Sequence, residues 1–314
     1  MKNALLFSGQ GSQYVGMVRD LAVRYPGVDA IVKRADEILG FELSKICFEG
    51  PVEVLKETRY TQPALFVHEA VLIHLLQGKL PFDAVAGHSL GEYSAMHAAG
   101  VLTFEEALKL VALRGNLMFR AGEKQPGTMF AVIGLADEKV EEICQSLSKD
   151  ENSIIVAANY NSPGQVVISG SADYLRENAA AFKTAGARMV TELPVSGAFH
   201  SPLMQSAKEE LAEAIHKTDF EDANADVYVN VSAQPIRKAE ALKEALIQQL
   251  VSPVRWTQIV TNMQNAGITK FYEIGPGKVL QGLLKRTLKD AESAGFDTVE
   301  DIEKFFLAAS ETAE

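Results

Sequence analysis

The stretch that decides the fold is DAVAGHSLGEYSAM, at residues 83–96. It contains a G-x-S-x-G sequence, formed by Gly87, Ser89 and Gly91, between a short apolar run and a segment of good helix formers. In a nucleophile elbow the chain turns sharply from a strand into a helix, and small residues relieve the crowding at the turn. The pattern predicts Ser89 as an exposed nucleophile at the start of a helix. Because G-x-S-x-G often arises by chance, a glycine-flanked turn without chemistry is the alternative.

A serine nucleophile needs a base, and the chain has six histidines. Most of them lie in helical patterns and are expected to be structural. His200 differs, because it lies in VSGAFHSPLM at 195–204, a loop that opens onto a helix with Pro202 near its first position. Such a histidine can meet the elbow across a cleft, in the serine-to-histidine order of hydrolase-like folds. A structural histidine is the alternative here too.

A positive charge interrupts the apolar face of a predicted helix. The helix begins with a capping box, Thr103 and Glu106, and its apolar residues then recur at spacings of three and four. Arg114 falls in the middle of this face and should point inward. A buried guanidinium is costly unless it is paired. Either an internal carboxylate neutralises Arg114, or its planar fork binds an anionic ligand.

The N-terminal segment ALLFSGQGSQ, at residues 4–13, predicts a strand followed by a glycine-rich loop. Backbone amides in such loops can bind anions or oxyanions. The spacing does not fit a dinucleotide-binding G-x-G-x-x-G sequence, because Tyr14 occupies the position of the third glycine. Simple loop packing is the alternative.

The composition is typical of a cytoplasmic catalytic protein. The chain has 314 residues, of which 47% are hydrophobic and 23% charged, enough for a large core in one or two domains. We expect no membrane segment and no signal peptide, because no apolar run is long enough and the first motif begins close to Met1. The net charge of -11 argues against nucleic-acid binding. The two cysteines, Cys47 and Cys144, lack metal-ligand spacing, so we expect no metal and a reducing compartment.

The order of predicted elements indicates an α/β fold with an inserted smaller domain. Residues 128–193 read as β-α-β-β-α-β, the ferredoxin-like arrangement, with one helix predicted over Ala172–Ala185. The flanking segments, 1–127 and 194–314, alternate apolar runs with helical patterns, as in a large α/β domain with a parallel sheet. One of these runs is Val227–Val231. The tail after Leu288 predicts no clear element.

The motifs together resemble the malonyl-CoA:acyl carrier protein transacylase family. The matching segments are FSGQGSQ at 7–13, GHSLGEY at 87–93, RGNLM at 114–118, NYNSPGQVVISG at 159–170, GAFHSPLM at 197–204 and EIGPGK at 273–278. They cover nearly the whole chain. The resemblance implies a hydrolase-like large domain with a ferredoxin-like insert and a cleft between them.

The resemblance also implies a role for each site residue. Ser89 would take the malonyl group from malonyl-CoA while His200 accepts the serine proton, and the thiol of acyl carrier protein would then remove the group. The amides of Gln10 and Leu90 would form the oxyanion hole, and Arg114 would bind the malonyl carboxylate.

In this family a backbone carbonyl supports the histidine, and the resemblance places it at Gln249, with the adjacent Gln248 as the competing position. Phe199 and Leu90 resemble the malonyl-selective form of the family, since a bulky ring at Phe199 would crowd a methyl branch on the substrate. The resemblance implies no cofactor and a monomer, and it leaves open whether the chain serves fatty acid or polyketide synthesis.

Two other functions stay open from the residues themselves: a serine hydrolase, in which water takes the acyl group, and a non-catalytic module that binds a carrier. An acidic carrier protein would need local positive charge on this acidic chain. The pair Lys285 and Arg286, with Lys183 and Arg188 as a second contact, is the candidate docking surface, although basic pairs on helices are usually only solvated.

Overall fold

The computed structural model describes residues 2–150 and 152–311. Its strands are β1 (Lys2–Phe7), β2 (Ala84–Gly87), β3 (Gly127–Ile133), β4 (Ile155–Ser162), β5 (Gln165–Ser171), β6 (Met189–Glu192), β7 (Asp226–Tyr228), β8 (Pro235–Ile236), β9 (Ile268–Ile274) and β10 (Glu292–Phe296). Its helices are α1 (Arg19–Arg24), α2 (Pro26–Leu39), α3 (Leu43–Glu49), α4 (Val52–Leu55), α5 (Thr58–Leu76), α6 (Gly91–Ala98), α7 (Phe104–Lys124), α8 (Asp137–Leu147), α9 (Ala172–Asn178), α10 (Ala180–Thr184), α11 (Gln205–Lys217), α12 (Ala239–Gln249), α13 (Trp256–Asn265), α14 (Val279–Thr287) and α15 (Val299–Glu311). A short 3-10 turn, Pro202–Met204, precedes α11.

The main sheet is parallel and has its first strand near the centre. Its order is β10-β9-β1-β2-β7-β8, and every neighbouring pair is parallel except β7 with β8. The register places Phe7 beside Gly87, so β1 and β2 end side by side. The loop after β1 and the elbow after β2 therefore leave the same edge of the sheet.

Both faces of the main sheet are buried, as expected for parallel strands. Leu5, Phe7 and Val85 pack into a core that includes the long helices α5 and α7. Ala4 and Leu6 point to the opposite face, where they pack with residues from α13 and α14. Because helices cover both faces, the carboxyl ends of the strands are the natural place for a ligand.

The second sheet is antiparallel, with the order β4-β5-β3-β6. Its helices pack on one face, where Val132 and Ile168 from the strands meet Leu175 and Phe182 from α9 and α10. The predicted α/β class, a parallel sheet plus a separate antiparallel unit, is confirmed. The domain boundaries at 128 and 193 stay predictions.

Two predicted elements differ in the structure. The predicted helix Ala172–Ala185 is interrupted at Ala179, although both halves bury an apolar residue against the sheet. The predicted strand Val227–Val231 ends at Tyr228, because the chain turns back and the Val229 amide bonds the Gln234 carbonyl at 3.2 Å.

The tail after Leu288 forms two elements that the sequence did not predict. β10 extends the main sheet beside β9, and α15 follows it. Phe296 is the one buried residue of β10, so this edge strand carries no alternating apolar pattern that sequence reading could detect. Within the part of the chain that is described, no helix combines the length and apolar character needed to cross a bilayer.

Candidate active site

The elbow at Ser89 has the backbone that the G-x-S-x-G pattern predicts. β2 ends at Gly87, α6 begins at Gly91, and the Gly91 amide bonds the His88 carbonyl at 3.0 Å across the turn. Ser89 has a φ of 55°, in the left-handed region that non-glycine residues rarely occupy. Such strain persists where surrounding contacts enforce it, and it is common at functional sites.

Close backbone approaches explain the glycines around the elbow. A Cβ atom on Gly87 would lie 1.8 Å from the carbonyl carbon of Gly91, and one on Gly91 would lie 2.3 Å from the Phe7 carbonyl oxygen. A Cβ on Gly9 would lie 2.6 Å from the His88 carbonyl oxygen. These three glycines therefore allow the elbow to pack directly against the end of β1 and the loop that follows it.

The structure brings His200 to Ser89. The serine Oγ lies 2.7 Å from Nε2 of His200, although the two residues are 111 positions apart. The other ring nitrogen, Nδ1, lies 3.0 Å from the Gln249 carbonyl oxygen and 3.1 Å from that of Ser252. Because both carbonyls can only accept, Nδ1 carries the proton and Nε2 is left to accept the serine proton.

The environment keeps His200 neutral. Burial, with a smaller effect from the positive charge of Arg114, lowers its pKa from 6.5 to about 3. At neutral pH the imidazole is therefore uncharged, and its Nε2 atom can act as a base.

Arg114 is fully buried and its hydrogen bonds go to uncharged groups. Nη1 donates to Gln62 Oε1 at 2.8 Å, and Nη2 donates to Ser89 Oγ and to Gln249 Oε1, both at 3.0 Å. Nε has no hydrogen-bond partner among the described residues. The guanidinium carbon also lies 5.7 Å from the centre of the Tyr93 ring.

No carboxylate in the described chain forms an ion pair with Arg114; the buried Glu92 influences it electrostatically without contact. Of the two alternatives that the sequence left open, the geometry favours the anionic ligand. A buried cation without a charged partner, beside a nucleophile, is well placed to bind a carboxylate.

Gln249 and Gln248 are clearly separated by the structure. The side chain of Gln249 donates to the Ser89 carbonyl at 2.8 Å and accepts from Arg114, while its own carbonyl faces His200. The exposed side chain of Gln248 instead accepts from Lys208. Gln249 is thus the residue that lies at the site.

The loop after β1 borders the elbow. Ser8 Oγ donates to the buried Glu69 at 2.9 Å, and the side chain of Gln10 donates to Thr58 at 3.2 Å. The backbone amides of Gln10 and Leu90 make no hydrogen bond to any residue that the structure describes, so both are free to donate to a ligand. A cavity of about 190 Å³ opens beside Gln10, lined by Gly9–Ser12, His88, Asn161, Gln165, Val279, Leu280 and Leu283.

Comparison with known proteins decides the family. Residues 4–308 match the model of the acyl transferase domain family. The chain is 41% identical over 309 residues to a malonyl CoA-acyl carrier protein transacylase of Haemophilus influenzae, covering 96% of this chain and 98% of that one. The malonyl CoA-acyl carrier protein transacylase of Staphylococcus aureus is 42% identical over 301 residues, covering 96% of this chain and 97% of that one. This chain belongs to the malonyl-CoA:acyl carrier protein transacylase family.

Solved structures agree with this family membership. An acyl carrier protein S-malonyltransferase from Vibrio cholerae superposes with a TM-score of 0.92 at 42% identity, over 97% of this chain and 99% of that one. A malonyl-transacylase solved in complex with its type II PKS acyl-carrier protein superposes with a TM-score of 0.94 at 37% identity, over 98% of this chain and 100% of that one. The chain is therefore an acyltransferase, and the family predicted from its motifs is confirmed.

The structure also locates the residue predicted to set substrate choice in this transacylase family member, and the basic residues predicted to bind the carrier. Phe199 is buried beside His200, with its ring so close to Gly197 that a Cβ there would lie 2.6 Å from the ring. Arg286 donates to Gln165, which lines the cavity beside Gln10, and Lys285 is exposed next to it.

Lys183 and Arg188, the predicted second contact, are both exposed, and Lys183 Nζ donates a hydrogen bond to the Arg188 backbone carbonyl. No described contact links them to the cavity beside Gln10.

Sequence reasoning missed three buried polar residues around Ser89. Gln62 accepts from Arg114, Asn230 bonds the elbow, and Glu92 accepts from the Asn230 amide. Burial raises the pKa of Glu92 to about 7. For Asn230 the available signal was a polar residue inside the apolar run at 227–231, the same kind of signal that identified Arg114. Gln62 and Glu92 have other polar residues beside them in the sequence, so they lacked this signal. Within 2–150 and 152–311, no group of three or more metal-ligating side chains is arranged to hold a metal.

Proposed function

We propose that this chain transfers the malonyl group from malonyl-CoA to the pantetheine thiol of acyl carrier protein, through a malonyl-serine intermediate. The observation that carries the proposal is the position of Ser89 Oγ, 2.7 Å from the neutral His200 base and 3.0 Å from the buried Arg114. One contact suits acyl chemistry and the other suits an acyl group that bears a carboxylate.

In the first half-reaction Ser89 Oγ attacks the thioester carbonyl carbon while its proton passes to His200 Nε2. The negative charge that develops on the carbonyl oxygen would be stabilised by the amides of Gln10 and Leu90. The intermediate collapses as the carbon–sulfur bond breaks, and the imidazolium returns the proton to the departing CoA sulfur. The Gln249 carbonyl supports the imidazolium by accepting from Nδ1.

In the second half-reaction the thiol of the carrier attacks the serine ester. His200 Nε2 takes the thiol proton, the bond between the ester carbonyl and Ser89 Oγ breaks, and the proton returns to the serine. The two half-reactions are the same chemistry with different thiols, so no cofactor or metal is needed.

Arg114 would select malonyl groups by pairing with their carboxylate, and Phe199 would disfavour a methyl branch next to the thioester. The related proteins named above as transacylases support malonyl-CoA and acyl carrier protein as the substrates. The product is a building block for fatty acid synthesis or polyketide synthesis.

A serine hydrolase is the competing function. It shares Ser89 and His200, but it gives no reason to keep Arg114 buried without a charged partner. A non-catalytic carrier-binding module is disfavoured because the serine and histidine lie at hydrogen-bond distance in the geometry that catalysis needs.

The test is mass spectrometry of the protein after incubation with malonyl-CoA. We expect the wild type to gain one malonyl group and Ser89→Ala to gain none. Ser94→Ala, which changes a serine inside α6 rather than at the elbow, is the matched control and should still be acylated. An undiminished adduct in Ser89→Ala would refute the nucleophile, and release of malonate to water as fast as transfer to carrier protein would favour the hydrolase.

A further inference from the structure

The side chain of Asn230 holds the two ends of the elbow at once. Its Oδ1 accepts from the Ser89 backbone amide at 2.7 Å, and its Nδ2 donates to the Gly87 carbonyl at 2.7 Å. Gly87 is the last residue of β2 and Ser89 is the nucleophile, so one carboxamide spans the sharp bend between them. The orientation of this carboxamide is fixed, because a backbone amide can only donate and a carbonyl can only accept.

Every polar atom of Asn230, in the backbone and in the side chain, forms a hydrogen bond. The residue is fully buried, its backbone amide donates to Glu92, and its carbonyl accepts from the Arg255 amide at 3.2 Å. Glu92 lies in the first turn of α6, three residues after the nucleophile. The loop that follows β7 is therefore tied to both the strand and the helix that flank Ser89.

We infer that Asn230 is a positioning residue, which holds Ser89 in its strained backbone conformation with Oγ aimed at His200. The inference rests on the proposed function, because it assigns a role at the same serine. The Ser89 peptide groups are bonded on both sides: the amide to Asn230, and the carbonyl to Gln249 at 2.8 Å. These contacts oppose relaxation of the φ of 55° to an ordinary value.

The contact also determines which amides can serve the oxyanion. Because the Ser89 amide already donates its hydrogen bond to Asn230, it is not free to bind the substrate oxygen. The Leu90 amide, one residue further, makes no such bond within the described chain. Asn230 thus directs the oxyanion to the Leu90 side of the elbow.

Substitutions can separate the two halves of this contact. Asn230→Asp has the same shape but replaces the donor by an oxygen, which would face the Gly87 carbonyl and repel it. Asn230→Ser is too short to reach both groups and adds no charge. Asn262→Asp is a matched control, because Asn262 donates to the Ala233 carbonyl of the same loop at 2.8 Å without touching the elbow.

The experiment is rapid mixing with malonyl-CoA, which measures the burst of CoA release as the acylation rate constant, together with the KM for malonyl-CoA and the midpoint of thermal unfolding. We expect acylation by Asn230→Asp to fall about 10²-fold, the size of effect produced by misplacing a reacting group by about 1 Å, while KM is unchanged. Asn230→Ser should show the same pattern, and it decides the matter if the aspartate variant does not fold. Asn262→Asp should acylate at the wild-type rate.

Wild-type acylation in both Asn230 variants would overturn the inference. It would also be overturned if KM rose together with the fall in rate, or if Asn262→Asp lost as much activity as the Asn230 variants, since either result indicates general damage to the loop. Failure of the proposed function has a different signature: the wild type itself would form no malonyl adduct, or Ser89→Ala would form one.

Discussion

Replacing Arg114 by alanine tests whether this buried cation binds the substrate carboxylate. Its hydrogen bonds in the structure go to uncharged groups, on Gln62, Ser89 and Gln249, so the malonyl carboxylate would be its charged partner. Breaking a buried charge pair costs about 2 to 5 kcal/mol. At about 1.36 kcal/mol for each factor of ten, kcat/KM for malonyl transfer should fall by roughly 30-fold to 5,000-fold.

The assay compares malonyl-CoA with acetyl-CoA as acyl donors at the same enzyme concentration. Acetyl has no carboxylate, so its transfer should be spared or improved by Arg114→Ala. Arg114→Lys is the control for charge alone: it keeps the cation but lacks the planar fork that spans two acceptors, and it should be intermediate.

The stability of the Arg114→Ala variant separates ligand binding from a structural role. Two opposing effects are expected: loss of the donor to Gln62 and Gln249 destabilises the fold, and removal of a desolvated charge stabilises it. The midpoint of thermal unfolding should therefore move little. If malonyl and acetyl transfer fall together and the protein unfolds at a lower temperature, Arg114 is structural and the assignment is refuted.

The remaining predictions concern the base, the thiols and the carrier. His200→Ala should lower the transfer rate by about 10² to 10⁴, and a near-normal rate would place the base elsewhere. Because the pKa of His200 is lowered to about 3, its neutral form persists as pH falls, so kcat/KM for acylation should hold its plateau well below pH 6.5; a loss centred at pH 6.5 would contradict this. Burial raises the pKa of Cys47 and Cys144 to about 12, so a thiol reagent at neutral pH should modify neither until the protein is unfolded, as followed by absorbance. Reversing Lys285 and Arg286 to Glu should slow transfer to carrier protein in a salt-dependent way and spare acylation by malonyl-CoA; equal loss in both half-reactions would remove the pair from the docking surface.

The parts of the site that sequence could predict are those with a local signal. Ser89 lies in a pattern whose strand, turn and helix are all set by nearby residues, and Arg114 breaks an apolar face whose period is visible in the sequence. His200 was predicted from its place at a helix start, but its distance to Ser89 follows from packing across 111 positions.

The parts that sequence could not predict depend on distant backbone. In the sequence Asn230 is only a polar residue within an apolar run. Its role could not be predicted, because it depends on contacts with the Gly87 carbonyl and the Ser89 amide, 143 and 141 positions earlier. β10 was not predicted because an edge strand needs little apolar surface. Only its pairing with β9 in the structure identifies it as a strand.

The place of β1 in the main sheet has a consequence for how the protein is made. β1 is synthesised well before β9, which is one of its two neighbours and begins at Ile268. Until β9 has been synthesised, one edge of β1 and the loop that carries Gln10 lack their final support. Pairings this distant in sequence form late and slowly. Nascent chains that stop before β9 should therefore present an open apolar strand to chaperones and acquire no transferase activity, even though Ser89, His200 and Gln249 have all been translated.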